Sequence, residues 1–280
     1  MTERRLTDKL VADFERNMYE NEKSKATIEK YLRDLRNLAD FINDRIVDKQ
    51  LVLEYKAELG CKYAPSSANS MIAAVNSFFR FVGWIDCCVK QFKIQKKTFC
   101  SEEKELSKEE YLSLVYVAEN KGNKRLSMLI QTICGTGIRV SEVEYITVEA
   151  ARRGEAVVSC KGKIRRIFIV AALRKKLLCY AKECGITSGM IFVTKSGKAM
   201  NRSNIWSEMK KLCMEARVMP DKVFPHNLRH LFARTFYKIE KDISQLADIL
   251  GHSNINTTRI YIISTGAEHR RKMENMRLIM

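Results

Sequence analysis

The sequence predicts a mainly α-helical chain of two domains, the second carrying one small β-hairpin. Apolar residues recur at helical spacing along most of the chain, and the period changes to short β-branched runs only around Lys161-Gly162-Lys163. An unpatterned, lysine-bearing stretch interrupts the helices before residue 107. A length of 280 residues also exceeds the common single-domain size, so two separate cores are expected.

From Leu6 to about Phe41 the spacing predicts a pair of amphipathic helices, clearest in Thr27, Ile28, Tyr31, Leu32, Leu35, Leu38, Ala39 and Ile42. After a break around Gly60 and Pro65, SSANSMIAAVNSFFRFVGW reads as another helix, with Ile72, Val75, Phe78, Phe79 and Val82 available for a core. Residues 1–97 are therefore expected to form a small helical domain. The next stretch, KQFKIQKKTFCSEEKEL, has no clear apolar period and ends in the helix-start pattern Ser107-Lys-Glu-Glu110, in which Ser107 and Glu110 can cap each other's backbone donors. This predicts a basic linker over 98–106 and a second domain over 107–280.

In the second domain helices are expected at about 107–120 and 124–134, the latter ended by Gly135 and Gly137, with a further helical turn from Arg139. EAVVSC and IRRIFIV flank Lys161-Gly162-Lys163 and predict a β-hairpin with glycine in its turn. Helical patterns resume at about 171–183, 201–217, 225–239, 242–250 and 255–261. There is no internal repeat and no low-complexity tract.

Lys plus Arg number 50 against 33 Asp plus Glu, a net charge of +17 that points to a polyanionic partner, nucleic acid ahead of an anionic membrane. Residues 1–60 hold 12 basic and 13 acidic side chains, whereas residues 61–100 hold 6 basic and 1 acidic. Lys90, Lys93, Lys96 and Lys97 thus become candidate DNA-backbone contacts where the first domain ends. No apolar run approaches the roughly 20 residues that span a bilayer, and the polar start has no signal-peptide core, so a cytoplasmic protein is expected. The nine cysteines contain no CxxC pair and are expected to be reduced and mostly buried, Cys134, Cys160 and Cys213 acting as small hydrophobes. With four histidines and no ligand-like spacing, neither a metal site nor a cofactor is expected.

Six residues of the second domain carry reactive or cationic groups in a telling order: Arg139 after GTGI, Lys161 beside the turn glycine, His226 and Arg229 in PHNLRH, His252 in ILGHS, and Tyr261 nine residues later. Singly, each has a bland explanation, since an arginine after a glycine turn often caps a helix and a tyrosine on an amphipathic helix is usually core. Together, GTGIRVSEV, CKGKIRR, HNLRH and LGHSNINTTRIY resemble the motifs of the tyrosine recombinases (phage integrases) in order and spacing. The resemblance covers most of the second half, while TIEKYLRDLRNLADFI and SANSMIAAVNSFFRF are similar to the family's N-terminal helical core-binding (SAM-like) domain, ahead of an α+β catalytic domain.

What the resemblance implies is a site-specific recombinase that cleaves and rejoins DNA through a 3′-phosphotyrosyl intermediate, without ATP or metal. Tyr261 would be the nucleophile, Lys161 the general acid and His226 the general base, with Arg139, Arg229 and His252 stabilising the transition state. Those residue types suit the chemistry. In-line attack adds charge to non-bridging phosphate oxygens, which guanidinium forks match; a phenol ordinarily titrating near about 10 needs help to ionise; and an alkoxide leaving group needs a proton. Glu142, one turn beyond Arg139, is expected to hold that arginine, and His230 to point elsewhere on its helix as a packing residue.

The resemblance further implies a homo-tetramer on two DNA duplexes carrying inverted-repeat core sites, with an accessory DNA-bending or directionality protein as a possible partner. The C-terminal segment at about 264–280, with Met273, Met276 and Ile279 at helical spacing, would be exchanged between subunits. No arm-binding domain is expected ahead of the core-binding helices, and CKGKIRR departs from the wording in which glycine precedes the lysine, which favours an element-borne integrase over a chromosome-dimer resolvase or a promoter inverter. The alternatives are a type IB topoisomerase-like enzyme and a catalytically silent DNA-binding protein of the same fold.

Overall fold

A computed structural model describes residues 4–94, 104–160, 163–194, 196–261 and 274–276, which fall into two compact units, Met1–Lys96 and Lys97–Met280.

The first unit holds four helices, α1 Asp8–Glu20, α2 Lys25–Ile42, α3 Lys49–Lys62 and α4 Pro65–Phe81. Each start is written locally: Thr7, Ser24 and Asp48 accept hydrogen bonds from Leu10, Thr27 and Leu51, and Pro65 occupies the first turn of α4. The inward faces meet in a core of Phe14, Ile28, Leu35, Leu38, Phe78 and Phe79, all at most 2% exposed, and the Phe14 and Phe78 rings lie edge to face at 5.5 Å. Helix α3 was not foreseen, because Gly60 read as a break. In the structure Gly60 lies inside α3, where a Cβ would stand 3.0 Å from the ring of Phe92. The glycine makes room for residues crossing the helix and does not end it.

The second unit begins with α5 Lys108–Asn120 and α6 Lys124–Thr136. Ser107 and Glu110 form the reciprocal cap expected of them. Leu106, at 4% exposure, belongs to this unit's core and Glu105 pairs with Arg234, so the last residues of the expected linker are built into the unit. Helix α6 runs through Gly135 and stops at Gly137 alone, whose φ of +64° is the left-handed cap. A 3-10 helix follows at Val140–Tyr145, then the unforeseen short helix α7 Val148–Arg153. Strands β1 Glu155–Cys160 and β2 Lys163–Phe168 pair antiparallel, Cys160 opposite Lys163 and Glu155 opposite Phe168. Ala156, Val158 and Ile167 face the core, as the period of two requires. Next come α8 Ala171–Glu183, α9 Arg202–Lys210 and α10 Cys213–Ala216. The single helix expected over 201–217 is broken between α9 and α10, and the second piece ends on Arg217 in the left-handed region. Helices α11 Pro225–Glu240, α12 Ile243–Leu250 and α13 Ile255–Arg259 complete the unit.

The cysteines depart from expectation: among the described residues Cys87 and Cys213 are buried, but Cys61, Cys179 and Cys184 are exposed. The side chain of Cys160 lies outside the described residues. Cys134 is half-buried, and burial pushes its thiol up to about 12. Among the described residues no helix is long and apolar enough to cross a membrane.

Gly137 joins fold to site. A Cβ there would stand 2.5 Å from Phe232 Cδ1, on a backbone conformation that side chains rarely adopt. Gly137→Ala is expected to cost about 2–4 kcal/mol, combining strained backbone with core overpacking. Chemical denaturation read by circular dichroism checks this; a midpoint equal to wild type would show that the loop accommodates the methyl group.

Candidate active site

Five of the six expected site residues come together in the second unit. Helix α11 supplies His226 and Arg229 from its first turns. Arg139 caps the 3-10 helix after Gly137, His252 follows the left-handed cap of α12 at Gly251, and Tyr261 follows α13. Lys161 lies outside the described residues, as do Lys96 and Lys97; Lys90 and Lys93 are exposed near the end of the first unit.

Arg229 is only 2% exposed and its donors are directed inward. Nη1 donates to the carbonyl of Gly137, and Nη2 to the carbonyl of Leu250 at 2.7 Å and to His252 Nε2 at 3.0 Å. The guanidinium therefore fastens the end of α6 to the end of α12. Burial, with repulsion from Arg139, brings it down to about 10, while nearby Tyr261 works the other way. It remains charged at neutral pH.

Because Arg229 can only donate, His252 Nε2 accepts, and Nδ1 carries the proton toward Thr258 Oγ1 at 2.9 Å. Thr258 is fully buried, so the imidazole orientation is set from behind. Burial, then the charges of Arg229 and Arg139, push His252 down to about 4. As placed, the ring is neutral and receives a hydrogen bond from Arg229.

Arg139 is the open cation, its side chain 38% exposed on a cleft of about 770 Å³ that Glu142, Arg165, Asp248 and His252 also line. Glu142 holds it: Oε1 accepts from Arg139 Nη1 at 2.8 Å and Oε2 from the Arg139 backbone amide at 3.0 Å. The carboxylate is buried at 3% exposure. Burial alone would raise its pKa, but the hydrogen bonds from Arg165 and Arg139 outweigh that and hold it below the usual carboxylate value.

Tyr261 is 4% exposed, its ring among three imidazoles, with centroids 5.6 Å from His226, 4.3 Å from His230 and 5.6 Å from His252. His226 shows one edge to solvent, and burial of the remainder, with the charge of Arg229, lowers its pKa. A neutral His226 beside a phenol can take up a proton. His230 is a packing residue, as the sequence suggests, but it packs on Tyr261 itself, closer than either other imidazole. The signal was available: His230 is four residues from His226 and shares its helix face, with ring centroids 4.9 Å apart. Arg165 also entered the site unforeseen, because alternation along β2 turns it inward opposite Val158.

Burial, with His226 and Arg229 nearby, pushes His230 to about 4 as well. Both His230 and His252 thus bind a proton more weakly when folded than at the ordinary value of 6.5. Their contribution to stability is complete above about pH 6.5 and is lost as pH falls toward about 4. The thermal midpoint should drop across that window, and less so in His230→Asn; a slope unchanged by that substitution would refute a half-buried, neutral His230.

Profiles of known families match both units: the phage integrase family over residues 104–268, and the phage integrase N-terminal SAM-like domain over residues 11–84. Tyrosine recombinase XerA of Pyrococcus horikoshii is 30% identical over 224 residues, covering 78% of this chain and 76% of that protein. Two solved structures show the same fold at low identity. A lambda integrase (75–356) dimer bound to a COC′ core site has a TM-score of 0.75 at 15% identity, over 92% of this chain and 95% of that one. A lambda integrase tetramer bound to a Holliday junction has a TM-score of 0.74 at 14% identity, over 93% and 78%. The ordered motifs, the two matched domains and the shared fold make this chain a member of the phage integrase family, the tyrosine site-specific recombinases.

Proposed function

We propose that this chain cleaves and rejoins double-stranded DNA at inverted-repeat core sites through a covalent bond between Tyr261 and a 3′ phosphate. The single observation that carries the reading is the placement of the Tyr261 ring among His226 and His252, with Arg229 hydrogen-bonded to His252 and Arg139 open to the adjoining cleft. The Tyr261 hydroxyl oxygen attacks the scissile phosphorus, its proton passing to His226. The bond from phosphorus to the 5′ oxygen breaks, and Lys161 gives that oxygen a proton. Rejoining reverses each transfer. One phosphodiester is exchanged for another, so bond energy is conserved and the balance calls for neither ATP nor a metal.

Arg139 and Arg229 compensate the charge gained by the non-bridging oxygens, and His252, oriented by Thr258, joins them through Arg229. Lys90, Lys93, Lys96 and Lys97, at the end of a core-binding domain over 1–97, lie along the DNA backbone, ahead of a basic linker over 98–106 and a catalytic domain over 107–280. The working assembly is a homo-tetramer on two duplexes, in line with the junction-bound tetramer formed by lambda integrase. Exchange of the segment at about 264–280 between subunits would make cleavage conditional on assembly; of its residues only 274–276 are described, Met276 being exposed.

The test is covalent capture. Wild-type protein is incubated in EDTA with a pool of nicked duplexes, denatured, and the attached DNA sequenced. Attachment at one inverted-repeat sequence is expected. Attachment without sequence preference would favour topoisomerase-like relaxation, and none would favour a silent DNA-binding protein.

A further inference from the structure

Arg165 lines the same cleft as Arg139, but its charge is turned to protein partners. Its side chain is 10% exposed, and Nη2 donates to Glu142 Oε2 while Nη1 donates to the carbonyl of Ile249 at 2.8 Å. The same Glu142 carboxylate holds both the guanidinium and the backbone amide of Arg139. Arg139 reaches the same loop from its other side, Nη2 lying 3.3 Å from the carbonyl of Gly251. The fit is tight: a Cβ on Gly251 would stand 2.4 Å from Arg165 Cδ. One guanidinium on β2 thus touches both the carboxylate that orients Arg139 and the turn that delivers His252.

We infer that Arg165 is a positioning residue for strand transfer, which sets Arg139 and His252 in register by sharing Glu142 and holding the end of α12. The inference rests on the strand-transfer reading above. Its physical basis is that a buried carboxylate recruits whatever donors remain. Without Arg165, Glu142 keeps Arg139 as its sole ionic partner among the described residues and draws it inward, away from the cleft, while the Ile249 carbonyl loses its donor and the Gly251-His252 turn is released. With Nη2 on Glu142 and Nη1 on the Ile249 carbonyl, Arg165 acts through Arg139 and His252.

The experiment measures DNA affinity and the single-turnover rate of covalent attachment at saturating nicked duplex for wild type, Arg165→Met, Arg165→Lys, Arg139→Lys and the double variant Arg139→Lys/Arg165→Met. Arg165→Met should bind DNA within about 2-fold of wild type and attach about 10- to 100-fold more slowly, as a small misplacement of a reacting group predicts. In the Arg139→Lys background, Arg165→Met should slow attachment by less than about 3-fold, because coupled residues are non-additive. A wild-type rate, or effects that multiply in the double variant, would overturn the positioning role. Should Arg165→Met fail to fold, Arg165→Lys carries the same comparison, since a point charge cannot bridge Glu142 and Ile249 together. Wild type that fails to attach would instead overturn the strand-transfer reading on which the role stands.

Discussion

Tyr261→Phe is expected to abolish covalent attachment, lowering it at least about 10⁴-fold, while DNA affinity and fold persist. The substitution removes one oxygen and keeps the ring, and the ring is what packs: Tyr261 is 4% exposed and shares a small cluster with Ala233, Leu246 and Leu250. Its contacts with His226, His230 and His252 are likewise ring contacts that phenylalanine retains. Stability should move by less than about 1.5 kcal/mol, the usual worth of one hydroxyl hydrogen bond. Denaturing electrophoresis of protein mixed with labelled nicked duplex reads attachment, and a mobility shift on the same duplex reads affinity. Retained attachment would remove Tyr261 from the mechanism. Loss of attachment together with binding would mean that the residue serves the interface with DNA.

Arg229→Lys, conservative in charge, is expected to be severe in both activity and stability. Arginine at this position holds Gly137, Leu250 and His252 with two terminal nitrogens from a fully buried position. A lysine has one nitrogen and no planar fork, so it cannot reach carbonyls on opposite sides and the imidazole together. Each buried acceptor left without a donor costs about 1–3 kcal/mol, so unfolding free energy should fall by about 2–5 kcal/mol. Attachment should slow by about 10²–10³-fold, the usual loss on removing one preorganised donor from a developing charge. Denaturant titration and single-turnover attachment at low temperature, where the variant is folded, separate the two effects. A wild-type rate would show that Arg229 is an internal fastener with no part in the transition state.

Much of the molecule was written locally. Caps at Thr7, Ser24, Asp48 and Ser107, and proline at the start of α4 and α11, mark helix starts through hydrogen bonds that span three or four residues, so sequence alone locates them. The hairpin was legible for a similar reason, its period of two contrasting with helices on either side. The ordered set Arg139, Lys161, His226, Arg229, His252 and Tyr261 was legible as a pattern, and the structure brings its five described members to one place.

Other features depend on partners distant in sequence. Gly60 reads as a break because glycine weakens an isolated helix, yet it lies within α3, where Phe92 crosses 32 residues later in the chain. His230 reads as a neighbour of Arg229, yet the fold of α13 brings Tyr261 onto the face that His230 shares with His226. The sequence by itself determined the helical class, the positions of most elements and the list of reactive residues, because capping and periodicity act within a few residues. Tertiary structure alone decided that Arg229 turns inward, that Glu142 is shared by Arg139 and Arg165, and that three imidazoles surround one phenol. Those are hydrogen bonds and ring contacts between residues up to 92 positions apart, and no local rule specifies which buried donor will meet which acceptor.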